Sequence, residues 1–230
     1  MTLVAASIAV HEPSDIDLDL DRAAEAVRKG ATLIEWRVDA LAEHADALSS
    51  TLELVRRTPA PCIVTCRASW EGGEYRGVEF DRAALYASLL KADVRPRYID
   101  VELSAFQRDP QAWQEVRALL ERPQADRDLN TSLILSTHDF NGRPADLLQR
   151  IEAMTADPLC AVIKVAWHAR SLRDNLEAFD LLRDRHKPMI ALCMGPFGLM
   201  SRVLAPKFGG LLTFPNSPLM TWALERLAAQ

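Results

Sequence analysis

Short apolar runs alternate with longer amphipathic stretches along this chain. Runs rich in aliphatic and β-branched residues occupy 3–10, 33–39, 62–67, 98–103, 132–138, 161–167, 189–194 and 211–214 and read as strands. Between them, apolar positions recur at helical spacing: Ile16, Leu20, Ala23 and Val27, then Leu85 and Leu89, Leu147 and Ile151, Leu176 and Phe179. The pattern predicts helices over 15–29, 45–57, 81–92, 110–121, 145–156, 172–185, 197–207 and 219–228. Asp109-Pro110 and Ser217-Pro218 read as cap pairs that open two of them. Eight strand–helix repeats are the count of an α/β (β/α)8 TIM barrel. No linker, low-complexity tract or charge run divides the chain, so a single barrel domain across 1–230 is expected. An open doubly wound sheet would carry a glycine-rich turn after an early strand; here the first strand leads into His11-Glu12-Pro13-Ser14.

Composition narrows the function classes. The chain has 230 residues, 49% hydrophobic and 26% charged, the balance of a globular protein with a sizeable core. A net charge of -5 offers no basic surface for nucleic acid or an anionic membrane. No apolar run approaches the roughly 18 residues of a membrane span. The opening Met1-Thr2-Leu3-Val4-Ala5-Ala6 reads as a strand, not a signal peptide, so a cytoplasmic location is expected. Cys62, Cys66, Cys160 and Cys193 lie in or beside strands without zinc-type spacing; they are expected to be buried core residues, with no metal bound.

Lys164 changes the picture. It interrupts Ala161-Val162-Ile163-Lys164-Val165-Ala166, where a buried strand should have another aliphatic. A charged amine in low dielectric is costly and tends to shed its proton, and a neutral amine attacks carbonyls. Barrel enzymes work at the C-terminal ends of their strands. Strand alternation places Glu35, Arg37 and Asp39 on one face, Thr65 and Arg67 on another strand's inner face, and Asp100 with Glu102 on a third. Glu71 lies in the loop after strand three. His138 ends strand five, next to the lysine strand, and suits general acid–base work. After strand seven, Met194-Gly195-Pro196-Phe197-Gly198 leads to Arg202, which can fork onto a carboxylate. The same loop also fits a phosphate site, so a Schiff-base aldolase acting on a phosphorylated sugar is the rival reading.

These strand ends together resemble type I 3-dehydroquinate dehydratase, the Schiff-base dehydroquinase of the shikimate pathway. The resemblance runs from about Leu3 to Phe214. Its carriers are Glu35-Trp36-Arg37-Val38-Asp39, Thr65-Cys66-Arg67 with Glu71-Gly72-Gly73-Glu74, Ile99-Asp100-Val101-Glu102-Leu103, Ser136-Thr137-His138-Asp139-Phe140, Ile163-Lys164-Val165-Ala166 and the segment from Met194 to Arg202. The resemblance implies that Lys164 forms an imine with 3-dehydroquinate and that His138 moves the proton. It implies that Glu71 orients His138, and that Glu35, Arg37, Arg67 and Arg202 bind the substrate. Asp100 and Glu102 would support the lysine and histidine, and Met194 and Phe214 would line an apolar wall. It further implies no cofactor, because the lysine supplies the electron sink, and a homodimer.

Two features depart from that family. Its members usually end in a longer segment whose serine and glutamine close over substrate. Here Phe214 is followed by Pro215-Asn216-Ser217-Pro218, and no later glutamine precedes Gln230. Ser217 or Asn216 is expected to substitute for the missing contacts. His168, two residues past Ala166, stands where the family tends to be apolar; it reads as a loop residue at the barrel mouth, or as a substrate contact that compensates for the short lid. A barrel that binds ligand without turnover is the third reading.

Overall fold

Period-two alternation sorts the apolar residues into two layers. The computed structural model of the protein describes residues 2–122 and 130–215. Its strands are β1 (Leu3–Ala9), β2 (Leu33–Arg37), β3 (Cys62–Thr65), β4 (Tyr98–Glu102), β5 (Ser132–Asp139), β6 (Cys160–His168), β7 (Met189–Met194) and β8 (Leu212–Thr213). All pair in parallel, in the order β7-β6-β5-β4-β3-β2-β1-β8. The Leu211 N–H donates to the Met189 carbonyl at 2.9 Å across the remaining seam. The result is a nearly closed (β/α)8 barrel.

Ile34, Trp36, Val64, Ile99, Val101, Leu135, Ile163, Val165 and Trp167 face outward and pack with the helices. Leu33, Ile63, Tyr98, Ile134, Val162, Ile190 and Leu212 fill the barrel floor. Two residues further along each strand, the same inward parity holds Glu35, Thr65, Asp100, Ser136, Lys164, Leu192 and Phe214. A polar layer therefore sits on an apolar plug, at the end where such barrels do chemistry. The four cysteines are buried and unpaired.

The helices are α1 (Ile16–Arg28), α2 (Ala47–Arg57), α3 (Glu79–Lys91), α4 (Leu103–Arg108), α5 (Gln114–Glu121), α6 (Leu147–Ala156), α7 (Asp174–Arg183) and α8 (Leu199–Val203). In α1 the helical spacing buries Ile16, Leu20 and Ala23, and Gly30, at φ 99°, turns the chain out of the helix. Two spans depart from the sequence expectation. Asp109-Pro110 does not open a helix: Asp109 Oδ1 accepts the Ala112 N–H at 3.2 Å in a turn, α5 begins at Gln114, and α4 follows β4 unforeseen. The span 197–207 is a short α8 between two 3-10 turns. Pro206 has no N–H to give the Arg202 carbonyl, which accepts the Thr213 hydroxyl at 2.8 Å instead. Asn216, Ser217-Pro218 and the expected helix 219–228 lie outside the described residues.

One buried cation ties α3 to the barrel. Arg82, 1% exposed, donates to the Cys66 carbonyl and to Glu102 Oε2, both at 2.9 Å, and to Glu79 Oε2 at 2.9 Å. Its guanidinium lies 5.2 Å from the Trp113 ring centroid and 5.7 Å from that of Tyr75. Its loss takes a cation from the buried Glu102, the donor from the Cys66 carbonyl and the packing against Trp113. Arg82→Ala should therefore destabilise the protein by about 3–5 kcal/mol. For a chain of this size that is a drop of roughly 10 °C in thermal unfolding midpoint. A midpoint unchanged within error would mean that Glu102 does not depend on Arg82.

Candidate active site

The polar layer opens into a cavity of about 310 Å³ lined by Ser7, Glu35, Arg37, Arg67, Glu71, His138, Lys164, Met194, Arg202 and Phe214, among others. Lys164 comes from the middle of β6, directly beside Ser136 of β5 in register. Its Nζ donates to Asp100 Oδ2 at 2.7 Å and to Glu35 Oε1 at 3.2 Å, and lies 4.8 Å from the Phe214 ring centroid. The sequence suggested an amine prone to shed its proton, with Asp100 among its supports; the structure pairs it with Asp100 and also with Glu35, because the inward positions of β2 and β4 both carry carboxylates at its height.

Those carboxylates are themselves held. Asp100 Oδ1 accepts Arg67 Nη2 at 2.7 Å and the Ser136 hydroxyl at 2.6 Å. Burial works to raise the Asp100 pKa, yet the charges of Arg67 and Lys164 hold it well below the usual carboxylate range. Burial likewise opposes ionisation of Glu35, and the charge of Lys164 overcomes it, helped by Arg37 and a hydrogen bond from Ser7. Thr65 also donates to Glu35 Oε1 at 3.0 Å. Both partners of the lysine are thus ionised.

His138, the last residue but one of β5, has Glu71 behind it. Glu71 Oε2 accepts the His138 backbone N–H at 2.9 Å and lies 3.2 Å from Nδ1. Burial pushes the imidazole well below its ordinary pKa, and the positive charges of Arg67 and Lys164 push it further the same way. Burial raises the Glu71 carboxyl to about 6. The ring is neutral at pH 7. With Nδ1–H turned to Glu71, its Nε2 is free to accept a proton from the cavity.

Other expected residues fall into different positions. Glu102 was expected to support the lysine and histidine, but touches neither: its oxygens accept Arg67 Nη1 at 3.1 Å, the Ala68 N–H at 2.9 Å and Arg82. It acts one residue further back, holding Arg67. Asp39 turns to the loop after β3, pairing with Arg37 and accepting the Arg67 N–H at 2.8 Å. Arg202, buried on the cavity wall, donates to the Phe214 carbonyl at 3.1 Å. The glycines after β7 have a packing reason of their own. A Cβ on Gly195 would stand 2.6 Å from the His168 ring, and one on Gly198 would stand 2.2 Å from the Cys193 carbonyl. His168 fills the space Gly195 leaves and does not line the cavity. Ser217 lies outside the described residues. Ser7 was missed by sequence reading, although it is the one polar residue of β1 and sits in register with Glu35.

The comparisons agree with this geometry. The sequence model for type I 3-dehydroquinase matches residues 5–221. The 3-dehydroquinate dehydratase of Desulfotalea psychrophila is 35% identical over 190 residues, covering 80% of this chain and 76% of that one. A bifunctional 3-dehydroquinate dehydratase/shikimate dehydrogenase of Arabidopsis thaliana is 31% identical over 204 residues; the match takes in 86% of this chain but 31% of that much longer one. The solved type I 3-dehydroquinate dehydratase of Clostridium difficile superposes with a TM-score of 0.81 at 22% identity, over 99% of this chain and 93% of its own. That likeness fixes the barrel, and the family match runs through all of its strands: the chain belongs to the type I 3-dehydroquinase family.

Proposed function

We propose that the protein is a 3-dehydroquinate dehydratase, a hydro-lyase that removes water from 3-dehydroquinate to give 3-dehydroshikimate through an imine on Lys164. The observation that carries the reading is one cavity walled by the Lys164 amine and by a neutral His138 backed by Glu71. Nζ gives up a proton to attack the ketone. The protons that Nζ sheds end on the carbonyl oxygen, since Asp100 and Glu35, held ionised, are poor stores for them. Loss of the carbonyl oxygen as water leaves an iminium, into which electrons flow when the adjacent C–H is broken. His138 takes that proton, then returns it to the departing hydroxyl, and water leaves. Hydrolysis frees the amine and the product. The cationic side of the cavity suits a carboxylated polyol: Arg202 takes the carboxylate, Arg37, Arg67 and Glu35 take the hydroxyls, and Met194 and Phe214 pack on the ring. No cofactor enters this scheme, because the lysine is the electron sink.

The test is absorbance of the conjugated enone product after adding 3-dehydroquinate. A signal that rises in proportion to enzyme supports the assignment; a flat one over the whole concentration range rejects it. The glycines after β7 have close neighbours that already account for them, so they do not by themselves point to a phosphorylated sugar. Among the described residues no helix is long and apolar enough to cross a membrane. The reading carries with it a single barrel domain working in the cytoplasm, as the sequence leads one to expect, and a homodimer, as the family resemblance implies.

The pH dependence follows from Glu71. Its pKa, raised to about 6, leaves it ionised at pH 7 and protonated as the pH falls through that value. A protonated Glu71 no longer fixes the Nδ1–H tautomer. The acid limb of kcat/KM should therefore fall near pH 6. In Glu71→Gln the limb should vanish, with a rate about 10²-fold lower at every pH. An unaltered limb in that variant would assign it to another group.

A further inference from the structure

His138 and Glu71 separate the catalytic cavity from a second one. This outer cleft, of about 460 Å³, runs between α4 and α6 and is lined by Trp70, Glu71, Ser104, Arg108, His138 and Arg150, among others. The same two residues thus wall both spaces. On the cleft side the Ser104 hydroxyl donates to Glu71 Oε1 at 2.6 Å, and the Trp70 Nε1–H donates to Ser104 Oγ at 3.2 Å. The indole engages a lone pair of Oγ, which leaves the hydroxyl proton to point at the carboxylate. The chain reads Trp70, Ser104, Glu71, His138, from the cleft to the base.

We infer that Ser104 is a positioning residue for the dehydration, holding the Glu71 carboxylate in the orientation that fixes His138. The inference rests on the reading of His138 as the base. Glu71 has one oxygen for the histidine and one for the serine, so losing the serine leaves the carboxyl tethered at Oε2 alone and free to turn about it. The groups that face Glu71 are Arg67 from the loop after β3, which favours its charge, Glu102 from β4, which opposes it, and His138 from β5. Ser104, at the start of α4, adds the hydrogen bond that favours the charged form. Arg108 in the cleft is turned to the Trp70 ring, 4.8 Å from its centroid.

Two readouts test it, one without turnover. In protein carrying 13C-labelled glutamate carboxyls, the Glu71 resonance is assigned by its loss in Glu71→Gln and titrated in the ligand-free enzyme. Ser104→Ala should raise its midpoint by about one pH unit, and Ser104→Thr, which keeps the hydroxyl, should restore it. The acid limb of kcat/KM should move in step, with kcat lowered about tenfold and KM little changed. A midpoint in Ser104→Ala equal to that of the parent overturns the inference, whatever the enzyme turns over. So does a Ser104→Thr variant whose midpoint matches Ser104→Ala. A shifted midpoint with no activity towards 3-dehydroquinate in the parent would leave the serine–glutamate link standing and sink the proposed reaction instead.

Discussion

Lys164→Ala should abolish turnover of 3-dehydroquinate, by roughly four orders of magnitude or more, together with the adduct that borohydride fixes on the parent enzyme. No neighbouring group can take its place. Asp100 and Glu35 are ionised and cannot form an imine, and the guanidinium of Arg67 is already committed to Asp100, Glu102 and Ser136. Binding without the electron sink leaves the substrate C–H at the acidity of an ordinary ketone. The fold should tolerate the change. Asp100 keeps Arg67 and Ser136, and Glu35 keeps Thr65, so neither carboxylate is left without a donor. Lys164→Met, which retains most of the side-chain volume, should behave the same way and removes any objection from a cavity. Intact-protein mass spectrometry after borohydride treatment reads the result: one added substrate-derived mass on the parent, none on either variant. An adduct that persists in Lys164→Ala would move the chemistry to another amine.

How far the sequence reaches is visible in which residues it placed. Glu35, Thr65, Asp100, Ser136 and Lys164 share an inward face because side chains on a strand alternate, and nothing but spacing is needed to see it. The same parity separates the floor from the outer core, so the barrel and the level of its polar layer were both legible. Partnerships across the barrel were not. That Asp100 takes Lys164 and Arg67 while Glu102 takes Arg67 and Arg82 depends on the stagger between strands and on rotamers, neither of which spacing encodes. Arg82 belongs to no motif that spacing singles out. Its burial could have been suspected from Ala83, Leu85, Tyr86, Ala87, Leu89 and Leu90, which make α3 apolar on nearly every side. Ser104 gave no signal, since a lone serine after a strand has many uses, and only the 2.6 Å contact with Glu71 singles it out.

His138→Ala separates the two halves of the chemistry. The variant should still capture 3-dehydroquinate as a borohydride-fixable adduct, while its dehydration rate falls by about 10²–10⁴-fold. Imine formation needs the amine and the ketone in contact, and Lys164 keeps both its carboxylates without the histidine. Breaking the C–H bond needs a base close to that carbon, and the alternatives on the cavity are unsuited. Glu71 is held behind the imidazole by Ser104, and Asp100 is held ionised by two cations. A slow second step after a retained first one makes the unreacted imine accumulate, so trapping under turnover should yield more substrate-mass adduct in the variant than in the parent. His138→Gln keeps a hydrogen-bonding group beside Glu71 without a proton to exchange at neutral pH, and should be equally slow. If His138→Ala instead dehydrates at the parental rate, the proton passes through a different group; if it also loses the adduct, the histidine is needed before the imine forms, as the acceptor of the Lys164 proton.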